Sequence, residues 1–135
     1  MEKRRRALRR AAEALSALLA SGAALACELP PGQRVESERY ALTFQIPAVE
    51  VGKIFSFEFT VCPKVAAGPP ESVRVDAGMP EHRHGMNYRP ALTALGAGRY
   101  RAEGLMFHMP GRWELVFELR SGGRTDRLAK SVVLE

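Results

Sequence analysis

The chain lacks most features that mark an enzyme or a nucleic-acid binder. It has no G-x-G-x-x-G or P-loop signature, no serine at a nucleophile elbow and no Ser/His/Asp order. Nucleotide-dependent and hydrolytic chemistry therefore have no candidate residues. Internal repeats and low-complexity tracts are absent, and 135 residues suffice for one domain but not for two of ordinary size. Positive charge is also missing from most of the chain. The formal charge is +5, yet residues 1–26 hold six basic residues against two acidic ones, and the remainder holds 14 against 13. A body so close to neutral has no footprint for phosphate backbones, which excludes nucleic acid as a partner. No stretch of the body makes a convincing helix. Cysteine occurs twice, histidine three times and tryptophan once.

Residues 1–10 are strongly basic, with Lys3, Arg4, Arg5, Arg6, Arg9 and Arg10. Ala11–Ala26 is small and apolar apart from Glu13, Ser16, Ser21 and Gly22, and it ends in Ala24-Leu25-Ala26. A basic start, an apolar core and an A-x-A site read as a signal peptide over 1–26, and so as export to the periplasm or beyond. The apolar core is too short, and Glu13 too close to it, for a permanent membrane span. Cys27 stands at the cut and brings in a lipid anchor as the alternative, although Ala24 and Leu25 reverse the usual order of a lipoprotein signal. In an oxidising compartment Cys27 and Cys62 are expected to pair, with the N-terminal segment stapled over the sheet. A lipidated Cys27 with Cys62 free, or Cys62 as a copper thiolate, are the competing readings.

The rest of the chain alternates. After an entry segment over 27–39, Tyr40, Leu42, Phe44 and Ile46 share one face, and Phe55, Phe57, Phe59 and Val61 share another. Cys62 falls on the outer parity of that second strand. Period two of this kind marks half-buried strands. Further strands are expected at Ser72–Ala77, Ala91–Leu95, Arg99–Met109, Arg112–Arg120 and Thr125–Leu134. Within Arg99–Met109 the inward parity changes at Gly104, as a β-bulge would make it. Pro63–Pro70 reads as a loop, and the stretch from Met79 to Pro90 as an irregular one. About seven short strands and turn-rich connections define an all-β fold, an immunoglobulin-like β-sandwich over 40–135.

Every histidine, and every methionine except Met1, lies in one of two segments: Met79-Pro80-Glu81-His82-Arg83-His84-Gly85-Met86 and Met106-Phe107-His108-Met109-Pro110-Gly111. Imidazole with thioether is a donor set for copper, Cu(I) preferred and Cu(II) accepted, while zinc rarely takes methionine sulfur. In an extended segment His82, His84 and Met86 share one side, with Gly85 free to bend. Met106 and His108 share a parity on their strand, and could close the site from the second side. His82, His84, Met86 and His108 form the expected set. Met106 and Met79 are candidates for a softer one, although Met79 could equally cap the core. Met109 shares parity with Leu105 and Phe107, which places core packing ahead of ligation. A methionine-rich, surface-presented site suits holding and passing metal, so a carrier is expected and an enzyme is not. The alternatives are a metal-free module docking on a membrane or respiratory complex, and zinc or nickel binding through the three histidines.

The run Asp76-Ala77-Gly78-Met79-Pro80-Glu81-His82-Arg83-His84-Gly85-Met86, then Gly98-Arg99-Tyr100 and Phe107-His108-Met109-Pro110-Gly111-Arg112-Trp113, resembles the YtkA-like family over roughly 40–120. These are small exported immunoglobulin-like domains with an MP loop and a G-x-Y…MPG-x-W core. The resemblance implies a link to copper handling and respiratory-oxidase assembly, hence a membrane-bound acceptor protein as partner. Tyr100, Pro110-Gly111 and Trp113 carry the fold part of the likeness, and the histidine-rich loop carries the metal part.

Overall fold

Alternating apolar and polar side chains on short extended segments can bury only one face each, and two such sheets close on one another. The computed structural model, which describes residues 26–64 and 67–135, is built this way. The leader expected over 1–26 lies outside these residues except for Ala26. Nine strands occur among the described residues, and no helix. They are β1 (Gln33–Glu36), β2 (Tyr40–Gln45), β3 (Ile54–Pro63), β4 (Ser72–Met79), β5 (His84–Gly85), β6 (Ala91–Gly96), β7 (Arg99–Met106), β8 (Gly111–Ser121) and β9 (Arg124–Leu134).

One sheet runs β1-β2-β3-β7-β6 and the other β5-β4-β8-β9, every neighbouring pair antiparallel. With β1 set aside, these are the A-B-E-D and C′-C-F-G sheets of an immunoglobulin-like sandwich. Seven strands are those expected from the alternation. The two added ones are short: β1 lies in the entry segment, and β5 lies where an irregular loop was expected. Neither shows in the sequence: β5 has two residues, too few for a period, and β1 holds a single apolar residue, Val35, so nothing alternates.

All six phenylalanines are buried between the sheets, together with Tyr40, Leu42, Leu105, Trp113, Leu115 and Leu119. The expected bulge is present. Phe55 pairs with Leu105 and Phe57 with Ala102, so β7 spends three steps where β3 spends two. Gly104 holds φ +80°, which other residues adopt only with strain. The bulge returns Leu105 to the core face and carries Phe107 there after the strand ends.

The cysteines pair. A disulfide joins Cys27 to Cys62, with Cα atoms 5.6 Å apart. Cys62 has the outward parity read from the sequence. It is buried all the same, as are Ala41, Thr43 and Thr60 on the same outer face. The segment leading from Cys27 to Pro31 lies over this face, and the Gln45 side-chain amide donates to the Pro31 carbonyl at 2.9 Å.

A second clasp joins the two sheets. Arg39, before β2, donates through Nε and Nη2 to one oxygen of Asp126 on β9, at 2.9 and 2.7 Å. Ser37 donates to the other oxygen, and Arg39 Nη1 donates to the Ser121 carbonyl at 3.0 Å. Asp126 is 6% exposed. Its hydrogen bonds from Arg39, outweighing desolvation and helped by Ser37 and by the charges of Arg39 and Arg124, hold its carboxyl below the ordinary 3.8. The unfolded chain therefore takes up this proton first on acidification. The stability contributed by the clasp is complete above about pH 4 and is lost as pH falls through the folded value. Asp126→Asn is expected to cost about 2–3 kcal/mol in urea denaturation at pH 7. The gap to wild type should close as the midpoints are remeasured toward pH 3. A gap that stays constant with pH would show that the carboxylate charge contributes nothing.

Candidate metal centre

Three stretches of backbone meet at one end of the sandwich. The first is the hairpin from β4 to β5, in which Gly78 pairs with Gly85 and Met79 with His84. Its turn, Pro80 to Arg83, is closed by the His82 N–H donating to the Met79 carbonyl at 3.1 Å. The bend falls on Arg83, at φ +54°, and not on Gly85, which sits extended in β5. The reading of Gly85 as the flexible point is thus corrected: pairing with β4 holds it straight.

The second stretch is the crossover from β7 to β8. The strand expected to continue to Met109 ends at Met106, because residues 107–110 must pass from one sheet to the other. The shared strand parity of Met106 and His108 therefore does not apply. Met106 pairs with the exposed Ile54, and it is not among the residues packed on the core. The third stretch is the turn between β2 and β3, where the Gly52 N–H donates to the Phe107 carbonyl at 2.8 Å and fixes the crossover.

These elements bring the chain's three imidazoles into succession. The rings of His82 and His84 have centroids 5.7 Å apart, and those of His84 and His108 are 5.3 Å apart. His82 and His84 are exposed, and His108 is half-buried. Nδ1 of His108 is buried and has no hydrogen-bond partner. An unsatisfied buried nitrogen costs on the order of 1–3 kcal/mol, so a group that accepts its lone pair has something to gain.

The methionines divide. Met86 and Met109 are half-buried against the core. Met79 is 1% exposed, and its terminal methyl lies only 2.7 Å from where a Cβ on Gly111 would stand. Gly111 lacks that carbon and has φ +122°, so the turn after Pro110 also makes room for Met79. Met79 thus serves as core.

Sequence reasoning used Trp113 as a fold marker and missed its place here. The indole lies 5.2 Å from the His108 ring and 6.2 Å from the His84 ring, at 80° and 72° to them. Phe107 stacks on it at 4.7 Å, and its N–H donates to the Met109 carbonyl at 3.0 Å. The spacing from His108 to Trp113 across Pro110-Gly111 was the available signal, since a tight turn returns the chain toward where it left.

Carboxylates near the site are already engaged. Glu81 in the turn accepts from Arg112 Nε at 3.1 Å, which ties the hairpin to β8. A groove of about 460 Å³ runs beside His84, lined among others by Asp76, Arg83, Glu114 and Arg127. Within it Arg127 pairs with Glu114 at 2.6 Å, and Asp76 pairs with Arg74 at 3.2 Å. Among the described residues, no three His, Cys, Asp or Glu side chains are grouped to hold a metal ion as they stand. The donor chemistry nevertheless fits a soft ion. Two imidazoles bound to one ion at about 2.0–2.1 Å, at a tetrahedral angle, have ring centroids roughly 5 Å apart. The His84–His108 separation is close to that.

Comparison with family models, with curated proteins and with solved structures finds no match to this chain.

Proposed function

We propose that this is an exported copper-binding domain that holds or passes copper through its His/Met end, and that it acts as a carrier and not as a catalyst. The observation that carries this reading is the succession of His82, His84 and His108, ending on a buried nitrogen with no partner. His84 and His108 are the central donors, His82 joins from the turn, and Met86 supplies the soft donor. The histidines accept either oxidation state of copper, and the thioether favours Cu(I). Exposure of His82 and His84 suits transfer, since a second protein can replace one ligand at a time.

Export agrees with the disulfide, because such bonds persist in oxidising compartments. A chain with the Cys27–Cys62 bond has no free sulfur on Cys27 for a thioether-linked lipid, which favours the unanchored form. Membership of the YtkA-like family, and a membrane-bound acceptor of copper, belong to the same proposal. They rest on the residues of the MP loop and the MPG-x-W segment.

The test is titration of the disulfide-bonded domain with Cu(I) and Cu(II) against competing chelators. Met86→Leu keeps the volume and removes the sulfur. It is expected to weaken Cu(I) binding about tenfold or more while leaving Cu(II) binding within about twofold, because the soft donor selects the soft ion. Equal losses for both ions would remove Met86 from the donor set. A wild-type domain that takes up neither ion would overturn the copper reading in favour of a metal-free docking module.

A further inference from the structure

The copper reading leaves open what sets the oxidation state, and the aromatic floor of the site bears on that. The separations among His84, His108 and Trp113 place the point midway between the two imidazole centroids about 5.1 Å from the indole centroid. An ion bound by one nitrogen of each ring, at about 2.0–2.1 Å, sits about 2 Å from that midpoint, which puts it beside the indole and near the roughly 6 Å reach of a cation–π contact, for which indole is the best of the side-chain rings. The indole cannot turn away. Phe107 stacks against it at 4.7 Å with 13° between planes, and its N–H is held by the Met109 carbonyl. Trp113 is fully buried, so this wall of the site carries no water.

We infer that Trp113 is a specificity-determining wall of the histidine site, favouring monovalent over divalent ions. The inference rests on the copper reading and deepens it. Hydration free energy scales with the square of the charge. A divalent ion therefore gives up about four times as much as a monovalent one when the same wall replaces its water. The cation–π attraction offsets part of this loss for a single charge and a much smaller share of it for two. The neutral imidazoles and the Met86 thioether add no negative charge to make up the difference. The carboxylate in the hairpin turn, Glu81, is taken by Arg112, and Asp76 and Glu114 in the groove beside His84 are taken by Arg74 and Arg127. The same argument admits Ag(I), which has the charge and softness of Cu(I) and no redox chemistry in water.

Two measurements test the inference. In the first, wild type and Trp113→Phe are titrated with Cu(I) and with Cu(II) against chelators. The variant is expected to lose about tenfold in Cu(I) affinity, with Cu(II) affinity unchanged or raised. A loss common to both ions, or none for either, assigns Trp113 a structural role only and overturns the inference. In the second, Ag(I) is added to the wild-type domain and indole absorption and emission are followed, which needs no variant to fold. A closed-shell heavy ion perturbs indole only at contact range. Quenching with a shifted absorption band, saturating near one equivalent, is expected. Ag(I) uptake with an unaltered indole overturns the inference and leaves the copper site standing, whereas a wild-type domain that binds none of the three ions removes both.

Discussion

Replacing His84 and His108 together by alanine will abolish Cu(II) binding and weaken Cu(I) binding by more than about 100-fold. Loss of a supporting partner alone typically costs 10–100-fold in metal affinity, and here two direct donors go. Cu(II) is left with His82 alone among the chain's imidazoles, too few for a stable site. Cu(I) retains Met86 and His82, so some binding survives. The pH response separates the two populations. Imidazole ligates only as the neutral ring, so wild type is expected to release copper on acidification. Thioether has no proton to compete, so the residual Cu(I) binding of the double variant should be much less sensitive to acid. The fold should tolerate the change. His84 is exposed, and His108 buries a nitrogen that has no hydrogen-bond partner. If the double variant matches wild type in Cu(I) affinity, these residues are not ligands and the proposed function fails.

Cys62→Ser will lower the free energy of unfolding by about 3–4 kcal/mol while copper binding stays within about twofold of wild type. The disulfide closes a loop with a sequence separation of 35. In the chain-entropy model such a cross-link removes roughly that much freedom from the unfolded state. The folded state also loses the clamp on the Cys27–Pro31 segment, so water reaches Thr43, Thr60 and Ala41. The proposed copper site should be unaffected because Cys62 and that site lie at opposite ends of β3. From Ile54, which pairs with Met106, to Cys62 the strand extends roughly 26 Å, and changes so far apart act independently. Reduction of wild type should reproduce the same loss in urea denaturation. If the reduced and oxidised domains unfold at the same midpoint, the bond is without consequence for stability. If copper affinity falls with stability, the two ends are coupled through the β3 strand.

The sequence by itself determined the layers of this protein. Alternation in seven segments requires extended backbone, since only a period of two puts Phe55, Phe57, Phe59 and Val61 on one side. Gly104 marked the bulge, because the inward parity had to change between Ala102 and Leu105 and only glycine takes the required φ without strain. The outward parity of Cys62, with a second cysteine near the start of the body, put the disulfide first among three readings, and the 5.6 Å between the Cα atoms decided for it. The gathering of histidine and methionine into two segments was likewise plain from the order of residues. What the tertiary structure decided was how those segments meet. Parity describes side chains only while a strand lasts, and β7 ends at Met106 because the chain must cross between sheets. His108 therefore lies beside Trp113 and His84, and Met106 pairs with Ile54 instead. The two-residue strand β5 is too short to have a period, so His84 owes its place to pairing with Met79 across the hairpin. Trp113 became part of the site only when β8 brought it back under the imidazoles that precede it in the chain. The sequence carries the donors and the folds of each strand. Which donors face one another depends on contacts between residues far apart in the chain, and these arise only when the two sheets close.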